Sequence, residues 1–308
     1  MKVFSSISDF SSDKESVITI GTFDGVHLGH RTILSQLNEI AKKVNGESTL
    51  ITFFPHPRYV LYAEDQDMRL LNTLDEKKTL LEEIGIDNLI VHEFTKKFSR
   101  IKSSNFIRDI LVEKLKVHTL IIGYNHHFGR NREGSFDELI SLAELYDFKI
   151  EMISAQNYED VTVSSTKIRQ LIEKGDIEKA NNYLGYEYFV NGEVIIGNGV
   201  GNDLGFPTAN ILVKNKWKLL PIDGVYAVKA KVDGSLFNGM MNIGKKPTVN
   251  GKYKSLEVNI FNFSSDIYGK EIKIRFIKRV RDEKKFESLD SLKKQLVRDR
   301  NKVQQILE

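Results

Sequence analysis

Two histidines three residues apart, His27 and His30, stand in the run Gly21-Thr-Phe-Asp-Gly-Val-His-Leu-Gly-His30. A short β-branched run, Ser16–Ile20, precedes it, and Ile33, Leu34, Leu37, Ile40 and Ala41 follow at helical spacing. The chain therefore turns from a strand into a helix at this point. Gly21, Gly25 and Gly29 let the backbone turn tightly and approach a ligand. A helix start offers unpaired N–H groups and partial positive charge to an anion, and imidazoles placed there donate to phosphate oxygens. The arrangement suits stabilising negative charge during reaction at a phosphate. Two other uses of the same residues stand beside this one. The histidines could hold a metal, with His56, His126 and His127 completing the shell, or the pattern could be strand-to-helix packing alone. No GxxxxGKS or GxxxxGKT run occurs, which argues against a Walker-type NTPase.

Three further groups have residue types suited to chemistry. Gly197-Asn-Gly-Val-Gly201 follows a strand but leads into Gly205-Phe-Pro-Thr-Ala-Asn210, where Pro207 disfavours a helix. A dinucleotide loop is thereby excluded, and a glycine-rich flap over phosphates or plain turn chemistry remains. Glu257 lies in an alternating strand, where a glutamate ordinarily faces solvent. Ser164-Ser-Thr166 by itself reads as a helix cap.

The elements around these groups fall into two patterns. In the first half strands (Ser16–Ile20, Ser48–Phe54, Asn88–His92, His118–Gly123, Phe148–Ile153) alternate with helices (from Gly29, Thr73–Ile84, Ser103–Leu115, Ser135–Tyr146). Such alternation predicts a parallel sheet covered by helices, with ligands at the carboxyl ends of the strands. Two short helices, Ser165–Glu173 and Ile177–Leu184, form a junction. Beyond Tyr186 the reading is strands: Tyr188–Ile196, Gly224–Val232, Ser235–Ile243, Lys254–Phe263 and Glu271–Val280, then a helix, Ser288–Ile306. Turn pairs Asp233-Gly234 and Asn250-Gly251 make this half a mainly antiparallel sheet or small barrel.

Composition divides at the same place. Residues 1–185 carry 23 basic and 28 acidic side chains, and residues 186–308 carry 22 and 14, so the two parts have opposite net charge. All 7 histidines lie at or before His127. Two domains, 1–184 and 185–308, are expected from 308 residues divided this way. The absence of cysteine removes disulfides, thiolate metal sites and cysteine catalysis. MKVFSSISDF lacks the apolar core of a secretory signal. The longest run without charged residues, Val117–Gly129, is 13 residues, too short for a membrane helix. A cytoplasmic protein without membrane, nucleic-acid or obligate protein partners is expected. The basic residues of the second half are dispersed, which favours an anionic small molecule over RNA.

The Gly21–His30 run resembles the HxGH signature of nucleotidylyltransferases and, more narrowly, that of prokaryotic bifunctional riboflavin kinase/FAD synthetases. Other blocks resemble that family in order: Thr52-Phe-Phe-Pro-His-Pro57, Gly123-Tyr-Asn-His-His-Phe-Gly129 with Arg130 and Gly134, Val163-Ser-Ser-Thr-Lys-Ile-Arg169, and Gly205–Asn210. Gly224-Val-Tyr226, Asn242–Thr248, Leu256–Phe261, Ile267-Tyr-Gly269 and Arg281–Phe286 follow. The resemblance spans nearly the whole chain. It implies a Rossmann-like α/β nucleotidylyltransferase domain with a parallel sheet, then an antiparallel β-barrel riboflavin kinase domain with a terminal helix.

What the resemblance implies for function is specific. Riboflavin is phosphorylated by ATP to FMN in the second domain, and FMN is adenylylated by ATP to FAD in the first, both with Mg²⁺. His27 and His30 would stabilise charge in adenylyl transfer. Gly21, Phe23, Asp24, Gly29, Asn125, Ser164, Ser165, Thr166 and Arg169 would bind that ATP. In the kinase, Gly197, Gly199, Gly201, Gly205 and Pro207 would bind ATP, Thr208 and Asn210 the metal, and Glu257 would be the base. Phe54, Pro55, His56, Phe128, Arg281 and Phe286 would contact flavin, although core packing alone would also explain Phe54 and Phe128. Asn125, Asn259, Asn262 and Val200 depart from the family pattern, which has an acid, histidine, aspartate and a basic residue there. A nucleotidylyltransferase for another phosphate, such as a pantetheine or nicotinamide mononucleotide, and a non-catalytic nucleotide- or RNA-binding protein are the alternatives.

Overall fold

A computed structural model describes the chain except residues 63, 65–66, 124–135, 154–156, 159–160, 198–200, 202–203 and 249–250. Packing divides it into two compact units. One comprises Met1–Met68 and Leu74–Ser164; the other comprises Arg69–Thr73 and Ser165–Glu308. The junction helices thus group with the second half, and the division falls between Ser164 and Ser165, ahead of the expected residue 184.

In the first unit β1 (Lys2–Phe4), β2 (Ser16–Ile20), β3 (Glu47–Phe54), β4 (Asn88–Glu93), β5 (Val117–Gly123) and β6 (Lys149–Ile153) form one parallel sheet. Its order is β1-β4-β3-β2-β5-β6. The helices are α1 (Leu28–Lys43), the short α2 (Pro57–Leu61), α3 (Leu74–Ile84), α4 (Ser103–Asn105) and α5 (Phe136–Tyr146). The helix expected over Ser103–Leu115 is helical throughout, but from Phe106 to Lys114 it is wound as a π-helix. All five residues of β2 are buried, as a central strand covered on both faces requires. Ile18, Ile20, Ile51, Ile90 and Leu120 pack against Phe106, Ile107, Leu111 and Leu139. From β2 the chain winds outward through β3 and β4, then returns to place β5 on the other side of β2. That reversal opens a crevice at the carboxyl ends of β2 and β5, the place where doubly wound sheets bind ligands. The Gly21–His30 run leaves β2 at this end. A small hairpin, β7 (Asn157–Tyr158) and β8 (Val161–Thr162), ends the unit.

The second unit is a closed antiparallel barrel of β9 (Phe189–Ile195), β10 (Ala209–Leu212), β11 (Gly224–Val232), β12 (Ser235–Thr248), β13 (Gly251–Ile260) and β14 (Glu271–Arg281). Its order is β10-β13-β12-β11-β14-β9, closed by the pairing of β9 with β10. β10 has no counterpart among the strands expected from sequence. It is only four residues long and follows Pro207, so neither alternation nor length announces it. Asp233 and Gly234, both at positive φ, make the two-residue hairpin turn between β11 and β12. The junction helices α6 (Ser165–Lys174) and α7 (Ile177–Leu184) precede the barrel, and α8 (Leu289–Leu307) follows it. Asn181 of α7 donates to the Phe276 carbonyl at 2.9 Å and accepts from the Tyr188 N–H at 2.7 Å. A Ser288/Ser291 capping box starts α8, whose Val303 packs on Val225, Ala227 and Met240.

The segment Arg69–Thr73 is bound into this second unit by several contacts. Leu70 exchanges backbone bonds with Trp217 and Leu219 at 2.7 and 2.8 Å. The buried Lys218 donates to the Leu71 carbonyl at 2.6 Å and lies over the Tyr188 ring. Asn72 bonds the Tyr186 hydroxyl at 3.3 Å.

Candidate functional site

In the first unit, Gly21 leaves β2 with its N–H bonded to the Ile51 carbonyl at 3.0 Å. The turn that follows is strained: Phe23, Gly25 and Val26 have φ of 45, 90 and 38°. Positive φ at a β-branched valine persists only where surrounding contacts fix it. Two such contacts meet at the Thr22 carbonyl, which accepts from Thr52 Oγ1 at 3.2 Å and Lys77 Nζ at 2.6 Å. Arg31 Nε adds a third at the Val26 carbonyl, at 3.2 Å.

The turn delivers His27 to the N-cap of α1, where its Nδ1 accepts from the His30 N–H at 3.4 Å. With Nδ1 accepting, the proton of neutral His27 sits on Nε2, outside the capping bond. The two imidazoles stack with centroids 3.6 Å apart, and the Phe23 ring lies 4.7 Å from that of His30. Gly29 leaves room for this stack, because a side chain there would press on the His27 ring. Burial is the main force pushing His27 down to about 4, with nearby Asp24 opposing it. His30 is driven well below its ordinary value by burial first, then by His27 and Lys77. Both rings are therefore neutral near pH 7, donors through N–H rather than fixed cations. His30 Nδ1 is buried without a hydrogen-bond partner among the described residues, as expected of a group that awaits a ligand. Gly21, Phe23, Asp24, Gly29, His27 and His30 are thus brought together.

Phe54, Pro55 and His56 end the neighbouring strand β3. Phe54 is 49% exposed, which rules out the core-packing alternative for that ring. His56 caps α2, accepting from the Arg58 N–H at 3.2 Å. Ser164 closes the first unit, whereas Ser165, Thr166 and Arg169 lie on the opening turns of α6 in the second. Asn125, His126, His127, Phe128, Gly199 and Val200 lie outside the described residues. Among the described residues no cluster of three acidic or histidine side chains could hold a metal ion.

In the barrel, Glu257 of β13 stands directly between Asn210 of β10 and Asn242 of β12. Residues in register across neighbouring strands share a face, so these three side chains form one row. The alternate residues Leu256 and Val258 are buried on the other face. Gly197 and Gly201 come close to Asn210 of this row and to Thr208 beside it. A side chain at Gly197 would overlap the Asn210 amide, and one at Gly201 would meet the Thr208 hydroxyl and the Phe206 carbonyl. Here glycine serves close approach. Asn259 is buried and donates to the Pro207 carbonyl at 2.7 Å, tying β13 to the residue before Thr208.

Beside Pro207 and Thr208 opens a cavity of about 420 Å³, lined also by Val258, Phe263, Ile267 and Tyr268. Sequence reading marked Ile267-Tyr-Gly269 as a family block but not as a site. The signal was present in the block itself, but nothing in one sequence brings it against Pro207. Arg281 is engaged elsewhere: its Nε and Nη2 grip the buried Asp299 carboxylate of α8 at 2.7–3.0 Å, and Nη1 donates to the Asp282 carbonyl. The Phe286 ring lies 5.9 Å from the Arg281 guanidinium.

Comparison with known proteins matches the two parts of the chain to two family models. The family model described as FAD synthetase matches residues 9–167, and that described as riboflavin kinase matches residues 184–307. A bifunctional riboflavin kinase/FMN adenylyltransferase of Haemophilus influenzae is 39% identical over 283 residues, covering 92% of this chain and 91% of that one. The enzyme of that name from Bacillus subtilis is 36% identical over 291 residues, covering 93% and 90%. A solved structure from Streptococcus pneumoniae, described as a macrolide-efflux protein, superposes with a TM-score of 0.90 at 28% identity and covers 98% of each chain. Among the described residues of the present chain no helix is long and apolar enough to cross a membrane. With both enzymatic modules matched in order, and relatives aligned over more than nine-tenths of its length, the chain belongs to the bifunctional riboflavin kinase/FMN adenylyltransferase family.

Proposed function

We infer that this chain converts riboflavin to FMN and FMN to FAD, consuming one ATP at each step. The observation that carries the reading is the pair of assembled motifs, the stacked His27/His30 at the start of α1 and the Asn210–Glu257 row on the barrel. The first lies within the residues matched by the FAD synthetase model and the second within those matched by the riboflavin kinase model.

For phosphorylation, the 5′-hydroxyl of riboflavin attacks the γ-phosphorus of ATP, ADP leaves, and Glu257 takes the hydroxyl proton. The half-buried Glu257 sits beside Asn210 in register, which supports it as the base. Thr208 and Asn210 offer hard oxygen donors under the glycines that would cover a polyphosphate, so these residues fit Mg²⁺. The ion, when bound, neutralises charge on the phosphates. Gly197, Gly199, Gly201, Gly205 and Pro207 are the motif residues assigned to the ATP of this step. The apolar cavity beside Pro207, with Tyr268 at its rim, suits the adenine ring. The donors of Arg281 are held by Asp299, so it acts on flavin by fixing the end of β14, with Phe286 next to it.

For adenylylation, an FMN phosphate oxygen attacks the α-phosphorus and pyrophosphate leaves. The nucleophile is already an anion, so no protein nucleophile is required, consistent with a chain lacking cysteine. Neutral His27 and His30 donate N–H to the oxygens that gain charge. Gly21, Phe23, Asp24 and Gly29 shape the turn, and the family motifs assign Asn125, Ser164, Ser165, Thr166 and Arg169 to ATP as well. Exposed Phe54, with Pro55 and His56 following it, offers the flavin ring a surface, and the family motif assigns Phe128 to flavin as well.

The test is direct. Incubation with riboflavin, ATP and MgCl₂, followed by chromatographic separation of flavins, should give FMN first and FAD after it. A chain that leaves riboflavin unchanged and also fails to adenylylate supplied FMN would overturn the reading.

A further inference from the structure

We propose that Lys77 is a positioning residue for adenylyl transfer: its buried ammonium clamps the turn after β2 and so sets where His27 and His30 meet the phosphate. The proposal rests on the adenylyltransferase reading above and adds a residue outside its motifs. Lys77 lies in the first turns of α3 and is 7% exposed, unusual for a lysine. Its Nζ donates to the Thr22 carbonyl at 2.6 Å. Burial pushes its ammonium below the ordinary lysine value, and Asp24, only 1% exposed, pulls in the other direction. A buried cation is costly unless paired and hydrogen-bonded, and here both partners belong to one strained turn. Lys77 thus holds Thr22 by its carbonyl and Asp24 by its charge, on either side of Phe23, whose positive φ aims its ring at His30. The charged and titratable groups that meet at this point are Asp24 of the turn, His27 and His30 of α1, and Lys77 of α3.

Two consequences separate positioning from simple support of the fold. Without the ammonium the turn relaxes and the His27/His30 donors shift, a misplacement that costs rate. Lys77 also opposes protonation of His30. Removing its charge raises the pH at which His30 becomes imidazolium, so the acid limb of the FAD-forming rate, where that proton adds, moves to higher pH.

The experiment uses the full chain with FMN, ATP and MgCl₂ for the second step and riboflavin for the first. Lys77→Met keeps the aliphatic stem. It should lower kcat for FAD formation about 10²-fold, shift the acid limb upward and leave FMN formation unchanged. Lys77→Arg, which keeps the charge, should recover most of the rate and the parent's acid limb. If Lys77→Met does not fold, Lys77→Gln takes its place with the same expectations. The inference is overturned if the neutral variant forms FAD at the parent rate, keeps the parent's acid limb, loses both activities in parallel, or is no slower than Lys77→Arg. A parent chain that forms no FAD overturns the adenylyltransferase reading and the inference with it. A parent that forms FAD beside an equally fast Lys77→Met overturns the inference alone.

Discussion

Stacked at 3.6 Å, His27 and His30 cannot both carry charge in an apolar setting, and burial keeps them neutral. Their worth lies in two N–H donors fixed before substrate arrives. His30→Ala should therefore slow conversion of FMN to FAD by roughly 10²–10³, the loss expected for one preorganised donor. Phosphorylation of riboflavin should continue at the parent rate, and chromatography of the flavins would separate the two effects. The converse holds in the barrel. Glu257→Gln keeps shape and register beside Asn210 and Asn242 but removes the base. FMN formation should fall by roughly 10²-fold or more, while supplied FMN is still adenylylated; an unchanged kinase rate would show that Glu257 is not the base. His27 and His30 were legible in sequence because their spacing is local, and Glu257 only through its place in a family motif. Lys77 was not: in Asp75-Glu-Lys-Lys78 it reads as part of a solvated charge run, and only the turn after β2 makes it buried.

At the scale of the element, the loop joining β2 to α1 carries an acid-side pH dependence that comes from histidine, a residue type the second unit does not contain. His27 in the folded unit titrates at about 4, against 6.5 for an ordinary histidine, so between those values the unfolded chain binds the extra proton. Stability is fully present above about pH 6.5 and is lost as pH falls toward 4. At 1.36 kcal/mol per unit the loss reaches about 3 kcal/mol from His27, and His30 acts in the same direction. The second unit contains no histidine and holds the only tryptophan, Trp217. Urea unfolding followed by Trp217 fluorescence should therefore move little between pH 7.5 and pH 5, whereas the part of the far-ultraviolet circular dichroism transition not matched by fluorescence should move to lower urea. The central strands were legible from their β-branched runs. β10 was not, since its four residues join the barrel only through partners on β9 and β13.

For the whole molecule, composition placed a boundary near residue 185, and packing places it at Ser164/Ser165. The difference is physical. Ala180, Tyr183 and Leu184 of α7 are fully buried, and Asn181 is bonded to the barrel backbone. A fragment of residues 185–308 should consequently aggregate, and one of residues 165–308 should fold and form FMN but never FAD. The longer fragment still lacks Arg69–Thr73. Loss of the Leu71 side chain and of the Lys218 bond to its carbonyl should cost it about 2–3 kcal/mol, readable as a lower urea midpoint than the Trp217 transition of the full chain. A folded 165–308 fragment without kinase activity would refute the modular assignment. Alternation and turn pairs made both sheets legible, but nothing in the sequence announces that five residues from the first half complete the second.

That borrowed segment sets an order of events during synthesis. Leu71 leaves the ribosome 147 residues before Lys218, its partner. At about 5–20 residues per second the interval is roughly 7–30 s. Throughout that time Leu70, Leu71 and Asn72 have been made, and the loop that receives them has not. The second unit cannot be completed by its own stretch of chain; it has to collect a segment already synthesised, which makes the early chain a reactant, and not a bystander, in the folding of the late one.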